Sequence, residues 1–175
     1  MKTLRYAAAI ILLASLAGCD ALWGIDDAGN GVDASGPATA VVDPGLLVSL
    51  AAPDTVTAGE AFTVRFSVQN QTDRPVDLTT SNSCLTLPRV TTFGGERVPF
   101  VGSSWACAAV VTTRTIPVGD ALTRTYDMRA ALSPSRNDTV PAPPDRYTVQ
   151  ATISWSIGGE TVPLSTLGRS FLVRP

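Results

Sequence analysis

Between residues 46 and 175 the chain alternates apolar and polar side chains with a period of two. Phe62, Val64, Phe66 and Val68 are interleaved with Thr63, Arg65, Ser67 and Gln69. Tyr147, Val149, Ala151, Ile153, Trp155 and Ile157 are interleaved with Thr148, Gln150, Thr152, Ser154 and Ser156. Successive strand side chains point to opposite faces, so each run predicts a strand with one apolar and one polar face. Shorter patterns predict further strands at 46–50, 75–80, 90–93, 97–101, 110–116, 122–130, 161–164 and 169–173. An apolar sheet face needs a second sheet to cover it. Short strands at this spacing therefore predict an all-β class and an antiparallel β-sandwich.

Turn chemistry supports this reading. Gly94-Gly95-Glu96 and Gly158-Gly159-Glu160 lie in two segments of similar sequence, and each is predicted to turn a hairpin because glycine reaches positive φ at little steric cost. Pro99 and Pro163 follow them and lack an N–H, which suits the returning arms to sheet edges. The proline-rich stretch 133–145 predicts a stiff loop before the strand that starts at Tyr147. No sustained helical period is present in this region.

The N-terminus follows a different pattern. Lys2 and Arg5 precede an apolar run from Tyr6 to Ala17, shorter than the ~20 residues that a membrane-crossing helix needs. A basic segment, a short apolar run and small residues together predict an export signal over residues 1–18. Leu16-Ala17-Gly18-Cys19 resembles the lipobox of bacterial lipoproteins at all four positions. That resemblance implies that Cys19 carries a lipid, begins the mature chain and holds it to a membrane in the cell envelope. An ordinary cleaved signal lying beside a cysteine is the alternative.

Composition then separates a tether from a domain. Residues 19–45 are rich in Gly, Ala and Asp, carry Asp20, Asp26, Asp27, Asp33 and Asp43, and have no basic residue. They are predicted to form a linker with a root-mean-square reach of roughly 28 Å. The ten remaining acidic residues face eleven arginines from residue 46 onward, so the domain at 46–175 is close to neutral. It has no basic nucleic-acid footprint.

The chain contains no histidine, and its one lysine is Lys2. Ser-His-Asp and Cys-His nucleophile systems, histidine metal sites and Schiff-base lysines are therefore unavailable to the mature domain. No catalytic residue, cofactor or metal is expected. Glu96 and Glu160 occupy equivalent hairpin positions, and two carboxylates ~5–10 Å apart over a cleft can cleave a glycosidic bond; solvated turn residues are the plainer reading.

With Cys19 acylated, Cys84 and Cys107 remain as an even pair in an exported chain and are expected to form a disulfide. Two separately buried thiols are the alternative. Trp105 stands in Ser103-Ser104-Trp105-Ala106-Cys107, where it is a candidate contact for a partner or else packs on the disulfide. Thr112, Thr113, Arg114 and Thr115 could receive an added strand, or simply be wet.

Residues 59–155 resemble the Ig-like domain of the BsuPI-type intracellular proteinase inhibitor family. The resemblance is carried by a strand ending in a polar turn (Phe66 to Val76), a Gly-containing hairpin (Phe93 to Val98), Ile116-Pro117-Val118-Gly119-Asp120 before a strand, and Asp145-Arg146-Tyr147-Thr148-Val149. It implies an Ig-like, fibronectin-III-type sandwich. The cysteine pair and the export signal depart from that family's intracellular setting. Two functions are thus expected: a non-enzymatic envelope lipoprotein that binds or scaffolds another envelope protein, or a proteinase inhibitor using residues 82–88, stapled by Cys84, as its loop.

Overall fold

The computed structural model describes residues 36–42, 44–134, 138–162 and 165–175. The chain divides into a unit Met1–Ala34 and a unit Ser35–Pro175, and all of the described residues belong to the second. The export signal, Cys19 and most of the acidic tether lie outside the described residues.

Fifteen strands occur among these residues. They are β1 (Ala38–Val42), β2 (Leu46–Ala51), β3 (Thr55–Thr57), β4 (Ala61–Asn70), β5 (Val76–Thr80), β6 (Arg89–Thr92), β7 (Arg97–Val98) and β8 (Phe100–Val101). There follow β9 (Thr112–Ile116), β10 (Ala121–Leu132), β11 (Val140–Pro141), β12 (Arg146–Ile153), β13 (Trp155–Ile157), β14 (Glu160–Thr161) and β15 (Ser165–Arg174). The first sheet runs β1-β2-β4-β10-β11, with β8 also on β10; the second runs β3-β15-β12-β6-β7; the third runs β14-β13-β5-β9. The protein is an all-β, Ig-like antiparallel sandwich.

The alternation sets the core. Leu46, Val48 and Leu50 of β2 and Val64, Phe66 and Val68 of β4 are fully buried, as are Val149, Ala151 and Ile153 of β12 and Leu78 of β5. Burying each large side chain contributes about 1.5–3 kcal/mol. Phe62, Phe100, Tyr147 and Phe171 form an aromatic cluster at one end, with ring centroids 5.0 to 6.4 Å apart. Phe66 meets Trp155 edge-on at 6.0 Å.

Five features differ from the sequence reading. Ala38–Val42, assigned by composition to the tether, is an ordered strand paired from Ala38↔Leu50 to Val42↔Leu46. The small alanines at positions 38 and 40 mask its alternation. The run from Tyr147 to Ile157 is two strands broken at the exposed Ser154, and it passes from the second sheet to the third without losing parity. The expected strand at 97–101 is likewise split at Pro99, with β7 pairing β6 and β8 pairing β10. A residue without an N–H marks the change of sheet. Finally, β3 pairs in parallel with β15, and β11 interrupts the expected loop at 133–145.

Both Gly-Gly segments turn hairpins, by different geometries. Gly158 and Gly159 both have positive φ (58° and 89°), as a two-residue turn between Ile157 and Glu160 requires. In the other, only Gly95 is positive at 84°; its N–H donates to the Thr92 carbonyl at 3.0 Å while the Thr92 N–H donates to the Glu96 carbonyl at 2.8 Å. That is a three-residue loop. The similar sequences therefore do not repeat one structure.

Candidate functional site

Residues 81–88 link β5 to β6, and from residue 82 onward they are packed down rather than projecting. The Asn82 side-chain oxygen accepts the Cys84 N–H at 2.9 Å, an Asx turn that starts the segment. The Ser83 and Ala108 main chains are joined by the Ser83 N–H to the Ala108 carbonyl (3.0 Å), and the Ala108 N–H donates to the Ser83 hydroxyl (2.8 Å). Cys84 and Cys107 form the expected disulfide, with their Cα atoms 5.6 Å apart.

Beyond the disulfide, two side chains reach in from the sandwich and one reaches back to it. The Trp155 indole N–H donates to the Leu85 carbonyl at 2.6 Å, the Tyr126 hydroxyl to the Thr86 carbonyl at 2.9 Å, and the Thr86 hydroxyl to the Thr152 carbonyl at 2.8 Å. Leu85, Thr86 and Pro88 are buried. Burial pushes the Tyr126 phenol up, against the opposing pull of the Arg124 charge and its own bond to Thr86.

The facing loop, 102–107, is fixed at both ends. Gly102 takes φ of 83° and lies against the Asp127–Met128 backbone, where a Cβ would collide with the Asp127 carbonyl oxygen. The Ser103 hydroxyl and N–H both donate to the Phe100 carbonyl, at 2.6 and 3.0 Å. Cys107 holds the other end. Trp105 stands between them, 37% exposed, with its ring edge-on to Tyr126 at 5.0 Å. It is therefore neither core nor fully solvated.

Two grooves border this construction. One, of about 330 Å³, has Thr80, Ser81, Asn82, Thr152, Ser154 and Arg89 among its walls, over Leu85 and Trp155. The other, of about 220 Å³, lies between Arg89, Arg97, Ser103, Ser104 and Trp105. Arg89 borders both. The two arginines were not singled out in the sequence, and their polar-out position opposite buried Val90 and Val98 was the available signal.

The other candidates are dispersed. Glu96 stands in the β6–β7 turn and Glu160 in β14, on edges of different sheets, and neither lines either groove. On β9, the outer strand of the third sheet, the Thr113 hydroxyl bonds Thr79 at 2.9 Å, the Thr115 hydroxyl bonds Asp77 at 2.6 Å, and Arg114 donates to the Ser83 carbonyl at 2.9 Å. Much of that polar face is thus engaged within the domain. No group of three His, Cys, Asp or Glu side chains able to hold a metal occurs among the described residues.

No family model and no curated protein matches the chain. Among solved structures it is similar to part of the Escherichia coli alpha-2-macroglobulin segment running from domain MG7 to the C-terminus, at 20% identity and a TM-score of 0.48, over 77% of this chain and 17% of that one. It is also similar to part of a Pseudomonas fluorescens alkylpurine DNA glycosylase (15% identity, TM-score 0.33, 72% of this chain and 29% of that one). A Listeria innocua beta-glucosidase is matched at 14% identity and a TM-score of 0.35, over 74% of this chain and 16% of that one. The chain spans less than a third of the length of each. These likenesses concern the sandwich alone, a scaffold that carries many unrelated functions.

Proposed function

We propose that this chain is a lipid-anchored lipoprotein of a bacterial cell envelope whose Ig-like domain is a non-enzymatic binding or scaffolding module. The observation that carries the reading is the Cys84–Cys107 bridge, because disulfides of this kind persist in oxidising compartments outside the cytoplasm. It agrees with the apolar leader and with Leu16-Ala17-Gly18-Cys19. The anchor would be the lipid on Cys19, and the partner an envelope component met by the rigid end of the sandwich around Trp105.

A proteinase-inhibitor role of the BsuPI type is the second reading. Its loop would be 82–88, and a loop that enters a protease cleft has to project with its carbonyls free. Here the Leu85 and Thr86 carbonyls accept bonds from Trp155 and Tyr126, which favours the binding module.

The test is metabolic labelling of cells with a fatty-acid analogue. Wild-type chain takes up the label and Cys19→Ser does not; label retained by Cys19→Ser overturns the anchor. In parallel, the purified protein leaves a panel of secreted proteases uninhibited at micromolar concentration, whereas strong inhibition of one of them would put the second reading first.

A further inference from the structure

Four of the five strands of the second sheet contain arginines, and none of the five contains a carboxylate. Arg89, Arg97, Arg146, Arg169 and Arg174 lie in these strands, and neither Asp nor Glu occurs in any of them. Arg169 shares parity with the core residues and pairs with Asp54, just outside β3. The others alternate with buried neighbours: Arg89 with Val90, Arg97 with Val98, Arg146 with Tyr147 and Arg174 with Val173. Alternation puts them on the outer face, among Thr91, Thr148, Gln150, Thr152 and Ser170. In this near-neutral domain, the strands of that face thus carry four arginines, with Glu96 and Asp145 in the turns that lead into Arg97 and Arg146.

At the β6–β7 edge that charge becomes a site. The register pairs Thr91 with Arg97, so Arg89 is the diagonal neighbour of Arg97, about 7–8 Å along the same face. Both are exposed, and neither makes an ion pair among the described residues. Both border the 220 Å³ groove, whose other wall is the fixed loop with Ser104 and half-exposed Trp105. From Arg89 the surface continues into the 330 Å³ groove, walled by Thr80, Ser81, Asn82, Thr152 and Ser154.

We propose that these two grooves form one track for a carboxylate-bearing glycan. The guanidinium forks of Arg89 and Arg97 donate bidentately to carboxylates. The face of Trp105 takes the apolar side of a sugar ring, and the hydroxyl-lined continuation bonds the sugar hydroxyls. A peptide fits less well: the neighbouring edge strand β7 is two residues long and is followed by Pro99, which leaves little backbone for an added strand, and of the apolar residues lining the track Leu85, Pro88 and Trp155 are buried, Leu87 and Trp105 being the partly exposed ones. The proposal deepens the binding-module reading and rests on it.

The test is calorimetric titration of the full chain in detergent with tetragalacturonate, beside a neutral galactose tetramer, inorganic phosphate and a polyglutamate peptide. The expected result is saturable, salt-weakened binding of tetragalacturonate alone. Arg89→Gln/Arg97→Gln reduces affinity at least about tenfold, Trp105→Ala also weakens it, and Arg65→Gln, on the first sheet, leaves it unchanged. Thermal midpoints of the variants near wild type show that they fold. Absence of saturable binding overturns the proposal, as does undiminished affinity in the double arginine variant or equal binding of the neutral tetramer or phosphate. Tighter binding of polyglutamate overturns it in favour of an acidic peptide. Failure of fatty-acid labelling with this binding intact refutes the anchor alone, and labelling without saccharide binding refutes this proposal alone.

Discussion

The indole N–H of Trp155 donates to the carbonyl of Leu85 across 2.6 Å, joining the third sheet to the residue next to Cys84. Trp155 is 2% exposed, so neither partner has water as a substitute. Trp155→Phe keeps an aromatic ring against Phe66 and removes only the donor. An unpaired buried acceptor costs about 1–3 kcal/mol, and urea unfolding should show a loss of at least that size because the smaller ring also leaves a void. A midpoint unchanged from wild type would mean that the bond does not hold the segment.

The disulfide should act on the same segment by another route. Cys84 and Cys107 are separated by 23 positions, and closing a loop of that length restricts the unfolded chain by roughly 3 kcal/mol. Cys84→Ser/Cys107→Ser should lower stability by about that amount while the Trp155 and Tyr126 bonds keep the segment in place. Intact mass of the oxidised and reduced protein should differ by two hydrogen atoms.

At the far end of β4, Asn70 is fully buried and uses its whole amide. It donates to the Arg74 carbonyl at 2.8 Å and the Ile116 carbonyl at 2.9 Å, and it accepts from the Thr72 N–H at 2.9 Å and hydroxyl at 2.7 Å. Asn70→Ala should cost about 1–3 kcal/mol for the Ile116 carbonyl that loses the amide, while the Arg74 carbonyl keeps the Thr72 hydroxyl at 2.7 Å. Asn70→Asp should be worse at pH 7 than at pH 4, since an ionised carboxylate turns acceptors toward two carbonyls and a protonated one can still donate. Paired urea titrations at the two pH values would check this.

Alkaline pH should weaken the fold through two phenols. Tyr126 and Tyr147 are both raised above 10.0, chiefly by burial, with the Asp145 charge adding to the effect at Tyr147. A raised phenol stays neutral more readily in the folded chain than in the unfolded one. Its contribution is therefore complete below about pH 10 and is lost as pH rises through the folded value. Urea midpoints measured from pH 8 to 12 should fall only in the upper part of that range, and Tyr126→Phe should reduce the fall.

What the sequence revealed and what it hid follow from the range of the interactions. Phe62–Val68 and Tyr147–Ile157 were legible because alternation is local and each apolar side chain faces one core. The break at Ser154 was not, because parity is preserved while the strand changes partners, and partners are set by distant residues. β3, three residues long, carries too little pattern, and its parallel pairing with β15 joins residues more than a hundred positions apart. The cysteine pair could be read from parity and export, and Trp105 from its place beside Cys107. The closeness of Arg89 and Arg97 depends on a hairpin register, which a one-residue slip would have changed.

Gly102 seats the opposite wall of the same groove, the Trp105 loop, on β10. Its φ of 83° already disfavours any side chain, and a Cβ would meet the Asp127 carbonyl oxygen while lying 3.1 Å from the Met128 Cα, so the loop would have to lift away from β10. Gly158 also has positive φ, at 58°, but nothing lies within 4 Å of its Cβ position. Gly158→Ala should therefore show only the left-handed backbone cost of about 1–2 kcal/mol, and Gly102→Ala distinctly more. Lifting the loop would also move Trp105 off Tyr126, so Gly102→Ala should alter the tryptophan near-ultraviolet circular dichroism while Gly158→Ala leaves it intact. Equal destabilisation by the two substitutions, with no spectral difference, would mean that the backbone of β10 does not seat the Trp105 loop.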